Sequence, residues 1–122
     1  MGTFFFAGVP YKFEDRVLAH LQASITPKLQ RREPFLVTWG EGIPCASGHT
    51  AIWLTASSSL IFEFENGSAP ELNPIWKAVL DWSAGTPEGM WLTSEEDAVQ
   101  FARTPKGQRV LRLLKQVQAR DG

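Results

Sequence analysis

Cys45 and His49 stand four residues apart in a stretch that also holds Gly40, Gly42, Pro44 and Gly48, with Glu41 four residues before the cysteine. A thiol beside an imidazole is the pairing of a nucleophile with its base, or half of a metal site. A glycine-rich loop, however, does not hold residues i and i+4 on one face, so the plainer reading is an ordinary loop. His20 falls beside the apolar stripe of a helical segment, where a hydrogen-bonded structural histidine is expected. Glu63 and Glu65 share one face of a strand pattern. Two carboxylates could exchange protons or bind a cation, but on a half-exposed strand they form the solvent face. No residue is therefore assigned a catalytic or metal-binding role. No cofactor is implied either, because neither a Gly-x-x-x-x-Gly-Lys-Ser/Thr loop nor a Gly-x-Gly-x-x-Gly turn occurs.

The remaining features suit contact rather than turnover. Lys28, Arg31 and Arg32 cluster at the end of the first helix. They could hold phosphates, or simply complement the helix dipole. Near the C-terminal end, Lys106, Arg109, Arg112, Lys115 and Arg120 fill most of one helical arc, opposite Val110, Leu111, Leu113, Leu114 and Val117. A basic amphipathic helix points to nucleic acid, a membrane surface or an acidic protein. Its apolar arc lacks Trp and Phe, which argues against a membrane. The alternative is a helix that docks its stripe and solvates the rest. Of five tryptophans, Trp53 alternates with Ile52 and Leu54 and so faces the other side of its strand. If exposed there, it can stack on bases or anchor a partner.

These residues need elements to position them. Residues 3–7 and 10–14 read as two strands about a Gly8–Pro10 turn, and residues 15–32 as a helix kinked at Pro27. The alternative at Pro27 is two short helices, the second capped by Thr26. Strands follow over 35–39, 50–56 and 60–65, separated by the 40–49 loop and a turn at 57–59, with a turn at Asn66-Gly67. Asn73-Pro74 caps a helix that ends near Gly85. A short strand spans 89–93. Ser94 with Asp97 opens the next helix, and Thr104-Pro105 opens the last, over 106–119. The expected fold is α+β: an antiparallel sheet of about six strands, ordered ββ-α-βββ-α-β, with helices on one face and a C-terminal helical extension. The organisation is a core over 1–93 and an extension over 94–122 packed on the same domain.

The chain has 122 residues, 43% of them hydrophobic and 20% charged, enough for a single core without staples. A net charge of −1 gives no global attraction to nucleic acid or anionic lipid. One cysteine excludes an internal disulfide. The opening apolar run is interrupted by Gly8 and Pro10 and has no basic lead, so the sequence reads as cytoplasmic.

Several stretches carry a family resemblance. They are Glu14-Asp15-Arg16 with Leu18-Ala19-His20-Leu21-Gln22, Lys28-Leu29 with Arg31-Arg32-Glu33, Phe35 and Trp39, Ile52-Trp53-Leu54, Phe62-Glu63-Phe64, and Pro70-Glu71-Leu72-Asn73 with Trp76. Over residues 4–92 the chain resembles a family of short actinobacterial proteins whose members commonly carry the label ATP-dependent DNA ligase. That label implies a lysine nucleophile in Lys-x-Asp-Gly. None of Lys12, Lys28, Lys77, Lys106 and Lys115 begins such a motif. The reading is therefore a small non-catalytic binding or assembly module, with a nucleic-acid-binding accessory protein using the basic C-terminal helix as the alternative and an enzyme of unrecognised type, built around His20 or the Cys45–His49 loop, as the third. The partner is a protein or nucleic acid, not a membrane, and homo-oligomerisation stays open. The candidate contact residues are Arg109, Arg112, Lys115, Lys106, Lys28, Arg31, Arg32 and Trp53.

Overall fold

A computed structural model describes residues 1–40, 49–67 and 70–121, with side chains described as far as Gln116. The chain runs β1 (Gly2–Phe6), β2 (Val9–Phe13), α1 (Asp15–Gln30), β3 (Phe35–Trp39), β4 (Thr50–Leu54), β5 (Leu60–Glu63), α2 (Pro74–Ala84), β6 (Met90–Trp91), α3 (Glu95–Arg103) and α4 (Pro105–Asp121). The architecture is α+β with a helical C-terminal segment.

The six strands among the described residues divide into two three-stranded sheets, ordered β2-β1-β5 and β4-β3-β6, rather than forming one. Two connections cause the split. After β4 the chain crosses to the other sheet, where β5 pairs with β1 instead of its sequence neighbour. After β5, α2 carries the chain back, so β6 lies parallel to β3 while every other pair is antiparallel. A helical crossover is what parallel pairing requires, and short turns cannot supply it.

α1 is continuous through Pro27. Pro27 has no N–H to donate back to the preceding turn, where Thr26 donates its hydroxyl to the Gln22 carbonyl at 2.7 Å. Arg32 takes the left-handed conformation just past the helix end, at φ 60°. Asn73 caps α2 through its side-chain oxygen, which accepts from the Ile75 and Trp76 amides, with Pro74 in the first turn. Ser94 accepts from the Asp97 amide to start α3. Thr104 accepts from the Gly107 amide to start α4.

The inner faces meet in one core that includes Phe4, Phe13, Leu18, Leu21, Val37, Trp39, Leu54, Trp76 and Leu80. Trp39 joins the two sheets, edge-on to Tyr11 and to Phe13 with ring centres 5.2 Å away in each case. α1 and α2 cover this core, and among the described residues no helix packs on the outer face of either sheet.

Candidate partner-binding surface

Alternation in the β4-β3-β6 sheet decides what each side chain meets. Phe35, Val37, Trp39, Ile52, Leu54 and Met90 point into the core. Their neighbours Leu36, Thr38, Ala51, Trp53 and Trp91 share the opposite face. Register places Trp53 beside Leu36, and both Ala51 and Trp91 beside Thr38. The two tryptophans thus flank the central strand on opposite sides, about 10 Å apart across the sheet. Trp53 is 58% exposed and Trp91 47%, whereas Trp39 and Trp76 are each 2% exposed. No residue of β3, β4 or β6 is charged. The outer face of the other sheet is mixed, with Phe5 between Pro10 and the exposed Ile61 but charged residues beside them. Thr3 there lies between Lys12 and Glu63, and Lys12 donates to the Thr3 hydroxyl at 2.6 Å.

Gly89 makes β6 possible. At φ +84°, a side chain there would place its Cβ 2.4 Å from the Leu36 carbonyl oxygen. Only glycine lets the strand carrying Trp91 come this close to β3. At the rim, the exposed His49 ring lies 5.8 Å from the Trp91 ring. Its proposed companions Cys45 and Glu41 lie outside the described residues, so the Cys45–His49 pairing is not placed.

A polar clamp joins α1 to the starts of α2 and α3. Arg16 reaches from α1 to grip both carboxylate oxygens of Glu95 at 2.9 and 2.5 Å, and it donates to the Glu71 carbonyl at 2.9 Å. Asn73 donates its side-chain amide to the same carboxylate at 2.9 Å. The Arg16 guanidinium, followed by Asn73, holds the Glu95 carboxyl down to about 2, and Arg16 is raised in turn by its bond to Glu95. His20 lies underneath, fully buried and stacked on Trp76 at 4.1 Å. Its Nε2 accepts from the Asn73 amide at 2.8 Å, which leaves Nδ1 to donate to the Arg16 carbonyl at 2.7 Å. Both ring nitrogens are occupied by the backbone, and burial pushes the imidazole below its ordinary pKa. Arg16, His20, Asn73 and Trp76, all among the residues that carry the sequence resemblance, meet at this point. The arrangement fastens the segment before α2 and the start of α3 to α1.

The basic candidates do not form one site. Lys28 and Arg31 both bind Glu33, at 3.1 and 2.9 Å. Arg31, followed by Lys28, holds the Glu33 carboxyl down to about 2. Lys28 also lies over the Phe35 ring, while Arg32 is exposed. On α4, Lys106 lies over the Trp82 ring, which stacks on Phe101. Arg109, Arg112 and Lys115 are exposed. The apolar arc of α4 is docked unevenly: Val110 is buried, Leu111 and Leu114 are half-buried, and Leu113 is 61% exposed. Arg120 and Val117 lie beyond the described side chains. Glu63 is an exposed β5 residue, and Glu65 lies beyond that strand, paired with the N-terminal ammonium. No group of three or more His, Cys, Asp or Glu positioned for a metal ion occurs among the described residues. Nor is any helix among them long and apolar enough to cross a membrane.

A family model described as "Domain of unknown function (DUF7882)" matches residues 1–95. The chain belongs to the DUF7882 family. The DUF7882 segment contains both sheets, α1 and α2, and its last matched residue is Glu95, the acceptor of the clamp. Nearly all of α3 and the whole of α4 follow it. No curated protein and no solved structure matches the chain. Trp91 was the surface residue least visible in sequence. Its signal was the same alternation that exposes Trp53: one large aromatic between two core residues, Met90 and Leu92.

Proposed function

We propose that this chain is a non-catalytic binding module that holds a protein partner on the outer face of the β4-β3-β6 sheet. The observation that carries the reading is the pair Trp53 and Trp91, each about half exposed on one uncharged sheet face. Large aromatics anchor interfaces because they contribute much apolar area for little lost side-chain freedom. A stacking platform for single-stranded nucleic acid needs cations beside its aromatics, and these three strands supply none. His20, the best-placed general base by residue type, has both nitrogens engaged by backbone groups. Adenylyl transfer is set aside because no lysine of the chain begins Lys-x-Asp-Gly. A cytoplasmic setting accords with a single cysteine and no disulfide framework.

The test compares tagged wild-type chain with Trp53→Ser/Trp91→Ser, each expressed in the native host, and quantifies the proteins that copurify. The reading expects a discrete partner with the wild type that is lost with the variant. Anisotropy of labelled single- and double-stranded DNA and RNA, at about 50 and 200 mM salt, is run in parallel. Tight, salt-sensitive binding unaffected by the double substitution, together with an unchanged protein profile, would replace this reading with nucleic-acid recognition through α4.

A further inference from the structure

A second surface lies between α2 and α4, with neither Trp53 nor Trp91 in its lining. The two helices leave a groove of about 570 Å³, within the range of sites that accept a ligand or a side-chain cluster. Its apolar residues include Ile75, Ala78, Leu111 and Leu114. Ile75 is 41% exposed although it belongs to the first turn of a core-packed helix.

Both walls follow helical spacing. α2 contributes positions 74, 77, 78 and 81, and α4 contributes 108, 111, 112 and 115. Each wall therefore extends about two turns, roughly 10 Å. A groove of that length between two helices fits a third helix presenting apolar residues at i, i+3 or i+4, and i+7.

Charge selects the kind of helix. Asp81 is the one acid in the lining among the described residues, and Lys77 neutralises it at 2.6 Å. Arg112 and Lys115 also line the groove, and neither has an ion-pair partner among the described residues. Two uncompensated cations beside an apolar trough favour acidic flanks on the occupant. Among the described residues no aromatic lines the groove, which leaves it without a stacking surface for bases there.

We propose that the α2–α4 groove binds an amphipathic helical segment of a protein partner, with its apolar stripe in the groove and carboxylates facing Arg112 and Lys115. α2 lies within the DUF7882 match and α4 outside it, so the site exists only where the family domain carries this C-terminal helix. The site is independent of the sheet face.

The test uses three labelled helical peptides with one apolar stripe, flanked by Glu, Gln or Lys, titrated into the full chain by fluorescence anisotropy. The Glu peptide is expected to bind roughly tenfold more tightly than the Gln peptide, and the Lys peptide more weakly still. Arg112→Glu/Lys115→Glu, two exposed positions, is expected to reverse that order while the thermal melt stays unchanged. Ile75→Gln is expected to weaken the Glu peptide without altering the charge preference. Equal binding of all three peptides, binding of none, or an order unmoved by the charge reversal overturns the proposal. Single-stranded DNA displacing the Glu peptide with comparable affinity would assign the cations to phosphate instead. Self-association that Ile75→Gln abolishes, read by sedimentation, would assign the groove to a second copy.

Discussion

His20 shows how a residue type that suggests catalysis is assigned a structural role by its surroundings. Burial opposes the charge on the imidazole, and protonating Nε2 would place an N–H against the Asn73 N–H. The folded pKa therefore lies below the ordinary 6.5. Between the two values the unfolded chain holds more protons, so stability is full above about 6.5 and is lost as pH falls through the folded value. Glu95 adds a lower window: with its carboxyl held at about 2 against an ordinary 4.5, its contribution is present above 4.5 and lost as pH falls towards 2. Thermal melts of the wild type are expected to fall in both windows. In Glu95→Gln the lower fall becomes shallower, Glu33 keeping its own share of it, and stability near neutral pH drops by about 1 kcal/mol or less, because the Glu95 carboxylate is about a third exposed and screened. A melt of the variant that keeps the wild-type fall below pH 4.5 would remove Arg16–Glu95 from the account. The sequence made a structural histidine the expected reading of His20. It could not reveal the clamp, because Arg16 and Glu95 are 79 residues apart and nothing local links them.

At the scale of elements, caps were the most legible signals and sheet partners the least. Asn73-Pro74, Ser94 and Thr104-Pro105 each start a helix where the local chemistry required one. Partner choice among strands depends instead on which faces bury together. That is why β5 leaves β4 for β1, and why β6 enters parallel through the α2 crossover. The corner between α3 and α4 rests on one close approach, since a Cβ on Gly107 would lie 1.9 Å from the Phe101 carbonyl oxygen. Gly107→Ala is expected to lower stability by about 2 kcal/mol, as overpacking at a rigid backbone contact does. Denaturant unfolding checks it, and a variant as stable as the wild type would show that the corner is looser than its geometry.

For the whole molecule, helices cover the inner side of the two sheets while the β4-β3-β6 sheet keeps an uncharged aromatic outer face. Periodicity placed Trp53 opposite Ile52 and Leu54. Which of those faces would be covered became readable only once α2 lay against β3 and β6. The basic residues, prominent in sequence, separated in space: Lys28 and Arg31 are held by Glu33, and Arg112 and Lys115 line the groove beside α2. If the tryptophan face serves contact rather than folding, Trp53→Ser/Trp91→Ser should unfold within about 1 kcal/mol of the wild type. Trp39→Ala, which empties the junction between the sheets, should lose about 3–5 kcal/mol. The most direct measurement is photo-crosslinking in the native host, with a photoreactive amino acid at position 53, at position 91, or at the exposed control position Gln100. Discrete protein adducts from positions 53 and 91 and none from 100 are the predicted result. No adducts from either sheet position, or the same adducts from all three, would contradict the assignment of this face as the partner-binding surface.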